Sequence, residues 1–236
     1  MVPPFPGAGA VSVASRVGNA LANEAARLSE VMSTLPEPAF DWSTGCPPWN
    51  VQELFAHVHM GVARISTALT QPTGPGPLID AARYYRRDHR FSPETDAERI
   101  ASAQCAAASW AGGRALAAAF DRDWRHALQL VAAEAPGRTV STRHGDLMPL
   151  HEFLITRVVE LAVHGLDLAL ALRRPPWLTD DAAAVVTELL MGGVRAGPAG
   201  WDQLTLVRKA TGREPASEAE IEQLRRAGVR WLAFQP

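Results

Sequence analysis

One lysine, two cysteines and two tyrosines are all that this chain of 236 residues holds of those types. The cysteines, Cys46 and Cys105, belong to no CxxC pair, which argues against a disulfide framework and fits a reducing cytosol. No stretch reaches the roughly 20 apolar residues that span a bilayer. The opening MVPPFPGAGAVSVASR has neither the basic start nor the unbroken apolar core of a signal peptide, so a cytoplasmic location is expected. Charge of either sign is not in excess. With 23 basic and 25 acidic residues, a formal charge of -2 and a pI near 6.4, nothing pulls the chain toward phosphate backbones or acidic membranes. Neither nucleic acid nor membrane is an expected partner. Lys209 stands alone among arginines in an alanine- and glycine-rich chain, a bias of GC-rich bacterial genomes. What is present is apolar material, 47% of residues, enough for one generous domain or one domain with an appendage.

Helical periodicity organises that material. Val17, Leu21, Leu28, Val31 and Leu35 recur at helical spacing in a first helix from Ala10 to Leu35, ended by Pro36 and Pro38. After the loop DWSTGCPPWN, with Ser43 or Asn50 available as caps, a second helix runs from Val51 to about Leu69. Ser92 and Pro93, followed by acidic residues, open a third that reaches about Ala133, with Gly112-Gly113 as a bend or interruption. TVSTRHGDLMP reads as extended, with one short strand, and a fourth helix occupies Leu150 to Leu172. Four long helices with Pro- and Gly-marked connections predict a mainly α fold, a four-helix bundle over residues 1–174. Residues 175–236 form a small, mostly helical C-terminal region, with helices near 180–195, 200–211 and 217–227.

The fourth helix carries a line of polar groups. At about 100° per residue, Arg157, Glu160, His164 and Asp167 fall within an arc of roughly 80°. All other positions from 158 to 168 are Val, Leu, Ala or Gly. The line reads either as the solvated face of an amphipathic helix or as part of a ligand site; a surface helix would be expected to show a wider polar face, and Glu160 and His164 four residues apart can converge on one divalent ion. The same pair also makes ordinary hydrogen bonds. A third ligand must come from another helix, and WNVQELFAHVHMG offers His57 and His59, which point about 200° apart, so that only one can join. His57 follows the buried-side Leu54 by three residues. His89, His126, His144 and His151 read as structural or solvated, and ARYYRRDHRF as a solvated basic face.

Two segments together resemble a known family. TGCPPWNVQELFAHV (44–58) and GDLMPLHEFLITRVVELAVHGLDLALAL (145–172) carry the patterns W-x-V-x-x-L-x-x-H and R-x-x-E-x-x-x-H-x-x-D. Both are similar to the mycothiol-dependent maleylpyruvate isomerase family of the DinB-like metalloenzyme superfamily. The resemblance implies a DinB-like up-and-down four-helix bundle holding a divalent metal, usually zinc, on His57, Glu160 and His164. AGPAGWDQLTLVRKATGREP resembles the family's closing GPA and GR signature, in which an arginine is linked to activity; the match falls on Arg213.

Three protein ligands leave a metal position open, the catalytic rather than the structural count. A thiol there loses its proton readily. The resemblance implies reversible addition of mycothiol to a conjugated cis double bond, with rotation before expulsion, or a transferase reaction in which the thiol stays. Arg157 is expected either to hold a carboxylate of substrate or thiol through two hydrogen bonds, or to form an ion pair with Glu160 or Asp167. Asp167 is expected to support or pack rather than to ligate. The function expected is thus a metal-dependent thiol isomerase or S-transferase acting on a small electrophile such as an unsaturated acid. The alternatives are thiol-independent chemistry on metal-activated water and a non-catalytic ligand-binding bundle.

Overall fold

The computed structural model describes residues 13–192 and 200–232. Four helices make the bundle: α1 (Val13–Ser33), α2 (Val51–Thr70), α5 (Gly113–Ala133) and α6 (Leu150–Ala171). The first and second of these stand diagonally, each packing against both α5 and α6. Between them lie a short α3 (Ala81–Tyr84) and α4 (Pro93–Ala108), which packs on the outside of α2. The predicted start of α1 at Ala10 lies outside the described residues.

Local chemistry sets the boundaries. Asn50, not Ser43, caps α2 in a reciprocal box with Glu53, satisfying two backbone N–H groups that the first turn leaves open. The single helix expected from Ser92 to Ala133 is two, α4 and α5, interrupted at the glycine pair. Gly112 has φ +135°, and a Cβ there would stand 2.2 Å from a Glu37 carboxylate oxygen. That carboxylate accepts the N–H groups of Gly113 and Arg114 and so caps α5. The extended segment is a hairpin of two short strands, β1 (Thr139–Ser141) and β2 (Leu147–Pro149), with Val140 opposite Met148, both fully buried.

The core runs the length of the bundle and continues past residue 174. Leu54, Val58 and Ile65 of α2 are buried, as the periodicity predicts, and Phe55 meets Phe120 of α5 at 5.2 Å. Helix α7 (Asp180–Met191) buries Val186 and Leu190 against α1 and α6; α8 (Gln203–Ala210) packs on α7, and α9 (Glu218–Arg226) contributes Leu224. These match the three C-terminal helices expected, and no strand occurs among the described residues after 149. No helix among the described residues is long and apolar enough to cross a membrane.

Candidate metal centre

The polar line of α6 faces inward. Thr156, Arg157 and Asp167 are buried, and the Glu160 and His164 side chains keep only 20% and 15% exposure, on the wall of a cavity. The solvated-face reading is therefore wrong: α6 is apolar nearly all round because nearly all of it is covered.

His57 of α2 reaches the same place. Its Nε2 lies 3.2 Å from Glu160 Oε2, and His164 Nε2 lies 3.5 Å from that oxygen. One donor atom from each of the three residues lies within 4.8 Å of the other two. Trp49 stacks on His57 at 4.9 Å, and the His57 and His164 rings meet edge-on at 5.1 Å. His59 points away, as spacing requires, and binds Asp123 at 2.7 Å.

Each donor is held from behind. Tyr85 Oη donates to Glu160 Oε1 at 3.1 Å and lies 3.0 Å from Thr156 O. Asp167 Oδ2 lies 3.0 Å from His164 Nδ1. Arg213 in turn grips both oxygens of Asp167, from Nε and Nη2, at 3.0 Å each. Cys46 donates its thiol to Asp167 at 3.2 Å. The set fits a divalent cation, since it offers two imidazole nitrogens and one carboxylate oxygen, with the second nitrogen of His164 fixed by a carboxylate as in many zinc sites. Cys46, His164 and Asp167 also cluster, but Arg213 already occupies both oxygens of that carboxylate.

The electrostatics suit ligation. Burial lowers His57 to about 4, so it is neutral at physiological pH. Glu160 is buried too, yet its hydrogen bonds with His164 and His57 hold it well below the usual carboxylate range. Burial likewise opposes charge on His164, but hydrogen bonds to Asp167, Cys46 and Glu160 outweigh it and raise the imidazole well above its ordinary value.

Arg157 forms no ion pair among the described residues, which corrects the expected pairing with Glu160 or Asp167. Glu160 is engaged by Tyr85, His57 and His164, and Asp167 lies about 15 Å farther along the helix axis. Instead Arg157 Nε donates to Thr156 Oγ1 at 3.1 Å and its guanidinium lies over Phe153. Gly61 gives it room, since a Cβ there would lie 3.2 Å from Nη1. The cavity, about 140 Å³, is lined by His57, Gly61, Arg157, Glu160 and His164 together with Arg64, Tyr84, Arg143 and His144. A wider groove of about 740 Å³ adjoins it, sharing Trp49, Phe91 and Arg99 and lined by Cys46, Asp167 and Arg213.

Several of these residues escaped the sequence reading. ARYYRRDHRF is solvated in part, with Arg83, Arg86, Arg87, Asp88 and His89 exposed as expected, but Tyr84, Tyr85 and Arg90 are buried, Arg90 against Asp146 and Asp88. The adjacency of the chain's two tyrosines was the available signal. His144, expected to be structural or solvated, lines the cavity, where burial first and then Arg143 and Arg90 lower it to about 4. Arg64 follows His57 by seven residues on the same face of α2, a spacing that could have disclosed it.

The profile of the family described as the mycothiol maleylpyruvate isomerase N-terminal domain matches residues 21–169. The chain belongs to that family. Among solved structures, the crystal structure of the mycothiol-dependent maleylpyruvate isomerase aligns with a TM-score of 0.52 at 17% identity, over 86% of this chain and 90% of that one. A histidine-to-alanine mutant of the same enzyme aligns at 0.54 and 18%, with the same coverage. At such identity the likeness is one of fold, and it extends past the family's N-terminal domain into the helical C-terminal region. No curated protein sequence matches the chain. The closing GPA of the family pattern, residues 197–199, lies outside the described residues, whereas Arg213 lies within them.

Proposed function

We propose that the protein is a metal-dependent thiol enzyme, a mycothiol-dependent isomerase or S-transferase, whose substrate is a small electrophile such as an unsaturated acid. One observation carries the reading: His57, Glu160 and His164 converge on the wall of a small cavity that also presents the Arg157 guanidinium. A divalent ion on those three residues, zinc by the chemistry of the donors, would stabilise the thiolate form of an incoming thiol near neutral pH.

The chain's own residues supply the rest. Arg157, buried and fixed by Thr156 and Phe153, is placed to receive a carboxylate of the substrate. Asp167, clamped by Arg213, fixes the tautomer of His164 so that Nε2 faces Glu160, and Tyr85 fixes the rotation of the Glu160 carboxylate. Trp49 and Val163 make that wall apolar, which limits water beside the reacting carbon. Arg213 acts through Asp167 and is a positioning residue in this reading.

The test is direct. Metal content is measured on purified protein, and consumption of electrophilic acids is followed with and without mycothiol. One metal per chain and turnover only with thiol are expected. Turnover undiminished without thiol would instead assign the metal-activated water reading, and absence of bound metal would remove both.

A further inference from the structure

Among the described residues, Tyr84 is the single hydroxyl-bearing side chain on the wall of the cavity beside the proposed metal centre. The adjacent Tyr85 does not line it, its hydroxyl being engaged by Glu160 and Thr156. Tyr84 ends the short helix α3 and is buried; its ring meets Tyr85 edge-on at 5.3 Å and lies 6.0 Å from His144, so that neighbouring rings fix it in place. Its oxygen lies among cations. Burial is the largest influence on Arg64, Arg143 and Arg157 and opposes their charge, whereas the Tyr84 oxygen favours it in all three and also hydrogen-bonds Arg157.

No other group on that wall both holds a proton at neutral pH and can release it. His57, Glu160 and His164 are the proposed metal ligands, and guanidinium groups keep their protons. His144 is already neutral, lowered to about 4 by burial first and then by Arg143 and Arg90. Thiol addition needs such a group. As a thiolate attacks a conjugated double bond, negative charge develops on the carbonyl oxygen, and a fixed donor there stabilises it where water is limited.

We propose that Tyr84 is the catalytic acid and base of this site, giving its phenolic proton to the substrate's conjugated carbonyl oxygen as the thiolate adds and recovering it as the thiolate leaves. The proposal rests on the thiol-addition reading of the cavity. In the first half a sulfur–carbon bond forms, the π pair of the double bond shifts toward the carbonyl, and the phenolic O–H bond breaks, leaving an enol and a phenolate. Three guanidinium groups surround that phenolate. After rotation about the new carbon–carbon single bond, the phenolate takes the proton back, the double bond re-forms and sulfur departs with its electron pair. No proton or electron is gained or lost overall.

An unreactive enolate analogue makes the test independent of thiol and turnover. The preformed nitronate of 3-nitropropionate, and butyrate as a saturated acid, are titrated calorimetrically into metal-loaded and metal-stripped protein. Tyr84→Phe keeps the ring and is expected to weaken the nitronate about ten-fold or more in both forms, while butyrate affinity changes less than about two-fold, which shows the Arg157 anchor intact. Where thiol-dependent turnover is measured, kcat should fall about 100-fold or more with metal content unchanged. A second measurement needs no variant: 3-fluorotyrosine in place of the chain's two tyrosines makes a stronger donor and should tighten the nitronate about two-fold or more relative to butyrate. Nitronate affinity that is unchanged in Tyr84→Phe, or that changes only in step with butyrate in either experiment, would overturn the assignment. Failure of the thiol-enzyme reading would show separately, as absence of metal or of thiol dependence with the Tyr84-dependent nitronate binding still standing.

Discussion

Arg213 and Asp167 meet through two parallel hydrogen bonds of 3.0 Å, and that carboxylate also lies 3.0 Å from His164 Nδ1. The C-terminal region thereby reaches a proposed metal ligand of the bundle through one intermediary. Such a fork needs the planar guanidinium, so an ammonium should not replace it. Arg213→Lys and Arg213→Ala are both expected to weaken metal affinity about 10- to 100-fold, the usual cost of losing a partner behind a ligand. Competition with a chromophoric chelator measures this, and unchanged affinity in both variants would remove the positioning role.

Metal binding should release close to one proton above pH 6. His164 is held well above its ordinary value in the protein alone, so a cation must displace its proton. His57, lowered to about 4, is already neutral and contributes none in that range, and Glu160, held low, is already ionised. Affinity should therefore rise with pH by about ten-fold per unit until His164 deprotonates. Calorimetry in buffers of differing ionisation enthalpy counts the protons, and a count of zero or two would contradict these assignments.

The parts of the site that a single helix determines were legible from spacing. Glu160 and His164 share a face by helical geometry, and His57 sits on the buried side of α2 because Leu54 does. Arg143 was not, for it comes from the β-turn and is brought to the cavity only by tertiary packing. The same holds for Arg213 and Asp167, 46 residues apart. At Gly112-Gly113 the interruption was readable but its agent was not, since Glu37 lies 76 residues from the N–H of Gly113 that it accepts. The expected Arg157 ion pairs failed because opposite charges on one face were counted as partners without asking what else their oxygens bind.

Tyr85→Phe removes the hydroxyl that donates to Glu160 Oε1 while keeping the ring among its apolar neighbours. The carboxylate keeps its contacts to both histidines, so the fold should survive with a loss of about 1 to 3 kcal/mol for the buried acceptors left open. Metal affinity should fall about ten-fold or more, because the freed carboxylate can rotate. A variant with wild-type affinity and a lowered melting temperature would make Tyr85 a packing residue only.

Away from the cavity, Glu24 of α1 links the C-terminal region to the bundle by accepting from the backbone N–H and the hydroxyl of Thr179, the cap of α7. It is almost wholly buried, its Oε1 has no hydrogen-bond partner among the described residues, and burial raises it to about 7 despite the Thr179 bonds. Folding therefore favours the protonated acid. Its contribution to stability is fully present below about pH 4.5, the unfolded value, and is lost as pH rises through about 7. Linkage puts the loss at about 3 kcal/mol. Glu24→Gln keeps an acceptor for Thr179 without the charge, so the difference in urea-unfolding free energy between variant and wild type should move in the variant's favour by about that amount from pH 5 to pH 8. A difference that stays constant across this range would show that the Glu24 carboxyl does not change protonation on folding.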